Sequence, residues 1–241
     1  MASGNVKGCS DFPEAISRSV LRLTDEDILE DDGYLKVETI FSKHLEASHI
    51  LDFAVVLRRY PEDDDIPGPA LAHLKGFLFQ PGYLPDDDDD EGYFDVFDER
   101  SQHAAIGYRI LVNDRNLVAK ALKKDADLDE LDAVAYLERL WVNPSLRGHG
   151  IAHRLLREAQ HVLGRPGLLV MMKAHPDDFD QGANQKLAAY YQSEKQLRFR
   201  QVSKKHEGWL VAAWQDPTVN KEDESFLDLD VRETPAIDQN E

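Results

Sequence analysis

The residues best suited to chemistry in this 241-residue chain form a glycine-rich turn, Arg147-Gly-His-Gly-Ile-Ala152, between a strand-like segment and an amphipathic helical segment. Glycine at 148 and 150 has no Cβ, so another group can approach the backbone closely. The amides at the start of a helix have no partner within it, and the helix dipole adds partial positive charge there. These features predict a site for phosphate oxygens.

Two other interpretations of the turn are open. The same residues could start a helix after a tight turn without binding any ligand. A dinucleotide site of the Rossmann type fits less well, because it needs Gly-x-Gly-x-x-Gly early in a βαβ unit and an acidic residue about 20 positions later.

The elements around the turn are predicted as strand, helix and strand. Residues 133–142 are rich in β-branched and aromatic side chains, and Pro144 stops the strand because proline cannot donate to the ladder. Residues 151–163 carry an apolar helical stripe, and Gly164 suits the end of that helix. The continuous apolar run 168–172 is typical of a strand buried on both faces.

The pattern before this core is more ambiguous. Apolar residues between 37 and 60 recur at helical spacing, although 52–57 could instead be a strand. Residues 61–90 are rich in Pro, Gly and Asp, which predicts mostly loop with a short element at 71–79. Residues 93–97 and 105–112 predict a β-hairpin.

Further elements are predicted near both ends: a strand at 15–23, a helix start at 24–27, helices at 116–124 and 184–196, and a strand pair at 199–202 and 209–214. Strands and helices mixed in this order indicate an α/β fold. The expected organisation is a loose arm at 1–12, one domain at 13–215 with acidic loops near 61–66 and 85–92, and an acidic tail at 216–241.

Composition limits the class of protein. The chain has 46 acidic and 28 basic residues, a net charge of −18. Such a surface repels nucleic acid and anionic membranes and attracts a cationic partner such as an amine, unless the acid serves only solubility. Without an apolar run of roughly 18 residues or a signal-like N-terminus, a cytoplasmic protein is expected. A single cysteine, Cys9, and scattered histidines predict no disulfide and no metal site.

Two blocks of the chain together resemble the Gcn5-related N-acetyltransferase (GNAT) superfamily. Val142-Asn-Pro-Ser-Leu-Arg-Gly-His-Gly-Ile-Ala152 is similar to its core motif, Arg/Gln-x-x-Gly-x-Gly/Ala, between the fourth strand and third helix. Asn184, an apolar helix face and Tyr191 resemble its second block. Leu197-Arg-Phe199 replaces the family's Leu-Gly-Phe and follows three extra residues, so the turn there is expected to be longer.

The resemblance implies a mixed, mostly antiparallel central sheet flanked by helices, with acetyl-coenzyme A as cosubstrate. It places the pyrophosphate on the amides of the turn and the pantetheine arm along the strand before it. The residues that it assigns to coenzyme binding are Leu140, Trp141, Val142, Arg147, Gly148, His149, Gly150, Ile151, Ala152, His153 and Asn184.

The resemblance also assigns catalytic roles. Tyr191 is the candidate acid that protonates the coenzyme thiolate; its alternative is a core tyrosine. Glu138 is the candidate base, because acids on that strand often act as base in the family, and its alternative is a salt bridge. Simple alternation puts Glu138 on one face with Tyr136, Leu140 and Val142, and Arg139 and Trp141 on the other. His175 is a second candidate base.

The implied function is acetyl transfer from acetyl-coenzyme A to a primary amine, by direct attack in a ternary complex. The acidic composition favours a cationic acceptor, either a small amine or a protein lysine or N-terminus. The alternatives are a coenzyme-binding module without activity and a transferase for longer acyl groups. No metal, nucleic acid or membrane is expected as a partner, and a homodimer is compatible with the sequence.

Overall fold

The computed structural model describes residues 33–43, 49–61, 68–80, 90–123, 125–176 and 182–214. Their main elements, in chain order, are β1 (Gly33–Lys43), β2 (Ile50–Pro61), β3 (Ala70–Phe79), α1 (Asp90–Arg100), α2 (Gln102–Asn113), α3 (Arg115–Leu122), β4 (Ala133–Val142), α4 (Ile151–Leu163), β5 (Leu168–Lys173), α5 (Ala183–Ser193), β6 (Arg200–Gln201) and β7 (Trp209–Ala213). Short 3-10 turns lie at Leu128–Glu130, Pro144–Leu146 and Lys195–Leu197.

The strands form one seven-stranded sheet in the order β1-β2-β3-β4-β5-β7-β6. All neighbours pair antiparallel except β4 and β5, which are parallel. The crossover between β4 and β5 contains α4, as a parallel connection requires. The mixed, mostly antiparallel sheet flanked by helices is therefore as predicted.

The sheet has a hydrophobic core on each face. The first face packs against α4 and α5, and includes Leu137, Val142, Leu155 and Tyr191. The second face packs against α1 to α3, and includes Phe77, Phe97, Tyr136 and Trp209. In α4 the buried residues are Ala152, Leu155, Leu156, Ala159 and Leu163, the stripe that holds this helix on the first face.

A β-bulge in β4 determines which side chains reach each face. Lys75 pairs with Arg139, but the next pair is Gly76 with Leu137, so Glu138 is the extra residue. Before the bulge, Tyr136 is in the second-face core; after it, Leu140 and Val142 pack on the first. The alternation that grouped Tyr136 with Leu140 and Val142 was therefore wrong.

Prediction was accurate around the turn and poor before it. The bounds of β4 and α4 are the predicted ones, and β5, β6, β7, α3 and α5 lie where strands and helices were expected. The helical interpretation of 37–60 was wrong, since this region forms the β1–β2 hairpin and only the strand alternative at 52–57 holds. The predicted hairpin at 93–112 is instead the helix pair α1 and α2.

Several predicted segments cannot be compared with the structure. The arm at 1–12, the strand at 15–23, the helix start at 24–27, most of both acidic loops and the tail at 216–241 lie outside the described residues. The element expected at 71–79 is the ten-residue strand β3.

Within the described part, no helix has the length and apolar character needed to cross a membrane.

Candidate functional site

The path from β4 to α4 is fixed by hydrogen bonds that begin at Asn143. Its amide donates to the Leu71 carbonyl of β3 at 2.9 Å. Its buried side-chain oxygen accepts from the amide and hydroxyl of Ser145, at 3.2 and 3.0 Å. Pro144 lies between them and opens the 3-10 turn. The sequence Asn-Pro-Ser thus ends the strand and directs the chain toward the glycine turn.

Both glycines of the turn adopt left-handed backbone conformations. Gly148 has φ +87° and Gly150, the N-cap of α4, has φ +75°. A Cβ at either position would meet no atom within 4 Å. Packing inside the chain therefore does not require glycine here, whereas the backbone conformation does. The open space leaves the amides at the start of α4 accessible from outside.

Strands β4 and β5 separate close to this turn. Their pairing runs from Ala133–Leu168 to Leu137–Met172 and then ends, although β4 continues to Val142. The last five residues of β4 therefore border an opening on the side away from β3. A cleft forms there, lined by residues of β3, β4, β5, α2 and α5 and by His175, which follows β5.

Backbone direction along β4 decides which polar groups face this opening. The Asn143 amide points to β3, where it donates to Leu71. The N–H and C=O groups of successive residues alternate in direction, so those of Trp141 also point to β3. Those of Leu140 and Val142 point to the opening. Of the three backbone positions assigned to coenzyme binding, Leu140 and Val142 thus have the suitable direction.

Arg147 folds back on the end of β4. Its Nε donates to the Val142 carbonyl oxygen at 3.2 Å. The arginine thereby ties the turn to the strand, in addition to the positive charge that it brings to the turn. The Val142 amide, which faces the opening, is the donor that the backbone of this residue can offer to a ligand.

His153 and Asn184 take different positions near the turn. The His153 ring stacks on Tyr190, with centroids 4.0 Å apart and planes at 10°, and its Nε2 lies 3.0 Å from the Tyr190 carbonyl oxygen. This side chain joins α4 to α5, so the coenzyme-binding assignment of His153 concerns its backbone amide. Asn184 is half-buried in the first turn of α5. His149 is exposed between the two glycines.

The cleft has walls of different character on the two faces of the sheet. Its first-face wall is largely apolar and consists of Leu74, Leu137, Leu140, Met172 and Tyr191. The rest of its lining, Tyr136, Glu138, Arg139, Lys173, His103 and His175, is polar or charged. A molecule in this opening therefore meets apolar surface on one side and titratable groups on the other.

Tyr191 is the buried tyrosine of α5, with 5% of its surface exposed, and it lines the cleft. Its neighbour Tyr190 is 37% exposed and stacks on His153 instead. The two side chains have different surroundings because consecutive helical residues point about 100° apart. Tyr191 is placed where an acid for a leaving group could act.

Glu138 lies at the mouth of the cleft, on the bulge of β4. Desolvation by surrounding protein raises the pKa of Glu138, an effect that Arg100 and Lys75 oppose and Asp52 reinforces. Arg100 and Asp52 are themselves paired at 2.7 Å. These neighbours belong to the second face, so Glu138 interacts there rather than within the apolar group that alternation had assigned to it.

Three further titratable groups meet near the end of β5. His103, in the first turn of α2, has its ring centroid 5.3 Å from that of His175. Burial, with added repulsion from His175 and Lys173, lowers the pKa of His103. Burial also lowers the pKa of Lys173, which donates to the Glu207 carbonyl and lies 5.7 Å from the centre of the Trp209 ring.

Sequence reasoning identified His175 but missed His103 and Lys173. His103 had been placed in a hairpin turn, so nothing indicated that α2 would bring it to β5. Lys173 carried a weak signal, as the first charged residue after the apolar run of β5. Among the described residues, no group of three or more His, Cys, Asp or Glu side chains forms a metal site.

Comparison with known proteins agrees with this arrangement. The model of the acetyltransferase (GNAT) family matches residues 69–194, which contain every element from β3 to α5. The chain belongs to the GNAT acetyltransferase family. The match covers the turn, the separating strands and Tyr191, and members of the family typically use acetyl-coenzyme A.

Solved structures and curated sequences add little detail. Arylalkylamine N-acetyltransferase 2 from Aedes aegypti is 15% identical, with 67% of this chain and 73% of that one covered and a TM-score of 0.33. A tyrosine-to-phenylalanine mutant of KacT is 16% identical, with 73% and 93% covered and a TM-score of 0.32. No curated protein sequence matches the chain.

Proposed function

We propose that this GNAT protein transfers the acetyl group of acetyl-coenzyme A to a primary amine. The observation that carries the proposal is the glycine turn at the start of α4, open to solvent, beside the gap between β4 and β5. A phosphate site and an apolar-walled gap on adjacent elements suit a ligand with a pyrophosphate at one end and a thioester at the other.

The residues present fit such a ligand. Amides from Gly148 to His153 would hold the pyrophosphate, because a helix start offers unpaired N–H groups and partial positive charge. The backbones of Leu140 and Val142 would hydrogen-bond the arm along the gap, and Leu137 and Met172 would cover it. Arg147 would support the turn, and Asn184 would contribute from the start of α5.

Bound acetyl-coenzyme A would supply a thioester carbon, at which a C–N bond forms while the C–S bond breaks. Glu138 accepts the proton that leaves the amine nitrogen, directly or through water. Its raised pKa makes it a better base than an ordinary carboxylate. Tyr191 donates the proton that the sulfur takes up, and a strand amide, of Val142 or Leu140, polarises the carbonyl.

Two measurements on the purified full chain test the proposal. Titration calorimetry with coenzyme A and acetyl-coenzyme A should show binding. Release of free thiol should accelerate when an amine panel is added with acetyl-coenzyme A. Absence of coenzyme binding would refute the proposal; binding without thiol release for any amine would favour an inactive coenzyme-binding module.

Acyl chain length can be tested in the same assay. Propionyl- and butyryl-coenzyme A replace the acetyl donor while the amine is held constant. We expect the acetyl compound to have the highest kcat/KM, and a preference for a longer chain would replace acetyl transfer by transfer of that group.

A further inference from the structure

The charges at the mouth of the cleft have a consequence for the acceptor. β4 and β5 stop pairing at Leu137–Met172, and the residues that follow on the two strands are charged. Glu138 and Arg139 form one lip of the opening, and Lys173 forms the other. Among the described residues that line the cleft, Arg139 and Lys173 are basic and Glu138 is the one carboxylate.

Both cations lie on the second face of the sheet. Lys173 points to the same face of β5 as Leu169 and Met171, which belong to the second-face core. Its ammonium lies over the ring of Trp209. Arg139 is the cross-strand partner of Lys75. Lys75 in turn points to the same face of β3 as Phe77, which belongs to the second-face core. Cross-strand partners point to the same face, so Arg139 and Lys173 approach the opening from the same side.

The two histidines of the cleft lie on this side as well. His103 enters from α2, which packs on the second face, and His175 follows β5. Neither adds negative charge. The chain as a whole is strongly acidic, but charges beyond about 8–10 Å are screened at physiological salt, so the local residues dominate inside the cleft.

A purely cationic amine is poorly matched to such a mouth. Glu138 can attract its ammonium, but Arg139 and Lys173 repel the rest of a polycation. An amine with a nearby anionic group matches both signs of charge. The Arg139 guanidinium has five donors and the Lys173 ammonium three, so the bond from Lys173 to the Glu207 carbonyl does not exhaust that group.

We propose that the acceptor is an amine that carries an anionic group, such as the carboxylate of an amino acid, with its nitrogen at Glu138 and its anion between Arg139 and Lys173. The inference rests on the proposed acetyl transfer. It also revises the preference for a cationic acceptor that the overall composition favoured.

The test compares amino acids with their amides, in which a neutral carboxamide replaces the carboxylate, at a pH where each amine has the same neutral fraction. Thiol release is measured with acetyl-coenzyme A and each member of the twenty matched pairs, together with cadaverine and spermidine. We expect kcat/KM to be about tenfold or more higher for the best acid than for its amide, as for a charge-assisted hydrogen bond. Similar values for acid and amide, or a preference for the polyamines, would overturn the inference and leave acetyl transfer standing.

Variants locate the effect. Arg139→Met and Lys173→Met should each lower the ratio of acid to amide kcat/KM toward one, whereas Lys120→Met, an exposed cation of α3, should leave the ratio unchanged. An unchanged ratio in both cleft variants would contradict the assignment.

A binding measurement distinguishes failure of the proposed acceptor from failure of the proposed acetyl transfer. Calorimetry with coenzyme A already bound should detect the preferred amino acid more strongly than its amide, without any turnover. Equal binding of the two would count against the inference. Absence of coenzyme binding would instead refute the proposed function.

Discussion

Gly76 of β3 packs directly against the Tyr136 carbonyl of β4. A Cβ at Gly76 would come within 2.3 Å of that oxygen and 2.8 Å of the Phe53 ring. The close approach lies at the bulge, where the pairing of β3 with β4 shifts by one residue. The absence of a side chain at Gly76 thus permits the bulge that places Glu138 at the cleft.

Replacement of Gly76 by alanine should destabilise the fold. The backbone oxygen cannot move without disrupting the sheet, so we expect a loss of about 2 kcal/mol or more, as for overpacked cores. Urea unfolding measures it. Gly182→Ala is the matched control, because its Cβ would meet no atom within 4 Å and only its φ of +89° opposes alanine, at about 1 kcal/mol. Equal losses in the two variants would contradict the role of the close contact.

Gly150→Ala should impair coenzyme binding more than stability. Gly150 and Gly182 are both helix N-caps in the left-handed conformation with open space around the missing Cβ. We therefore expect similar losses in unfolding free energy from alanine at each position. Only the methyl group at 150 would obstruct the pyrophosphate, weakening coenzyme A binding by about tenfold or more in calorimetry. Equal affinities of both variants would remove the turn from the site.

Tyr191→Phe should lower kcat by about 100-fold, because it removes the proposed proton donor for the leaving thiolate. Coenzyme affinity should change little, since the ring that packs in the first-face core is retained. Tyr190→Phe provides the control, as that side chain stacks on His153 outside the cleft lining. If both variants kept wild-type kcat, Tyr191 would be a packing residue only.

Glu138 should control the acidic limb of the pH profile. A base must be deprotonated, so kcat/KM is expected to fall as pH drops through its pKa, which desolvation raises above that of an ordinary glutamate. Glu138→Gln should reduce kcat/KM and abolish this limb. A variant that retains the wild-type limb would assign it to another group, and His103 and His175 of the cleft lining are the candidates.

His73 should make the fold sensitive to acid. It is 4% exposed, stacks on Trp141 at 5.6 Å, and neither ring nitrogen has a hydrogen-bond partner. Burial, with repulsion from Lys75 and Arg139, lowers its pKa to about 4. Because the unfolded chain keeps the usual value near 6.5, it binds the proton first as pH falls. The contribution of neutral His73 to the free energy of unfolding is therefore fully present above about pH 6.5. It is lost progressively as the pH falls toward 4.

Urea unfolding at pH 7.5 and pH 5 measures the effect. The shift predicts that His73 accounts for about 2 kcal/mol of the stability lost between the two conditions. His73→Leu should lose correspondingly less than the wild type over the same interval. Parallel losses in both proteins would show that His73 is protonated in the folded state or titrates without affecting folding.

The part of the fold that sequence predicted well is the part with strong local signals. Pro144 and Gly164 end their elements for reasons internal to the residue, and the apolar stripe of α4 is regular over the whole helix. The hairpin of β1 and β2 was mistaken for a helix because apolar residues in two adjacent strands fell by chance at helical spacing. Conversely, the alternating pattern of Tyr93-Phe-Asp-Val-Phe97 predicted a strand, although these residues lie in the helix α1.

By itself, the sequence determined the family and the strand, turn and helix from β4 to α4, because each depends on residues within one or two turns of chain. Only the tertiary structure decided the register of β3 against β4, the resulting bulge at Glu138, and the meeting of His103 with His175. Those features depend on contacts between segments distant in the chain. A shift of one residue in strand pairing reverses which face a side chain occupies, and no local pattern records it.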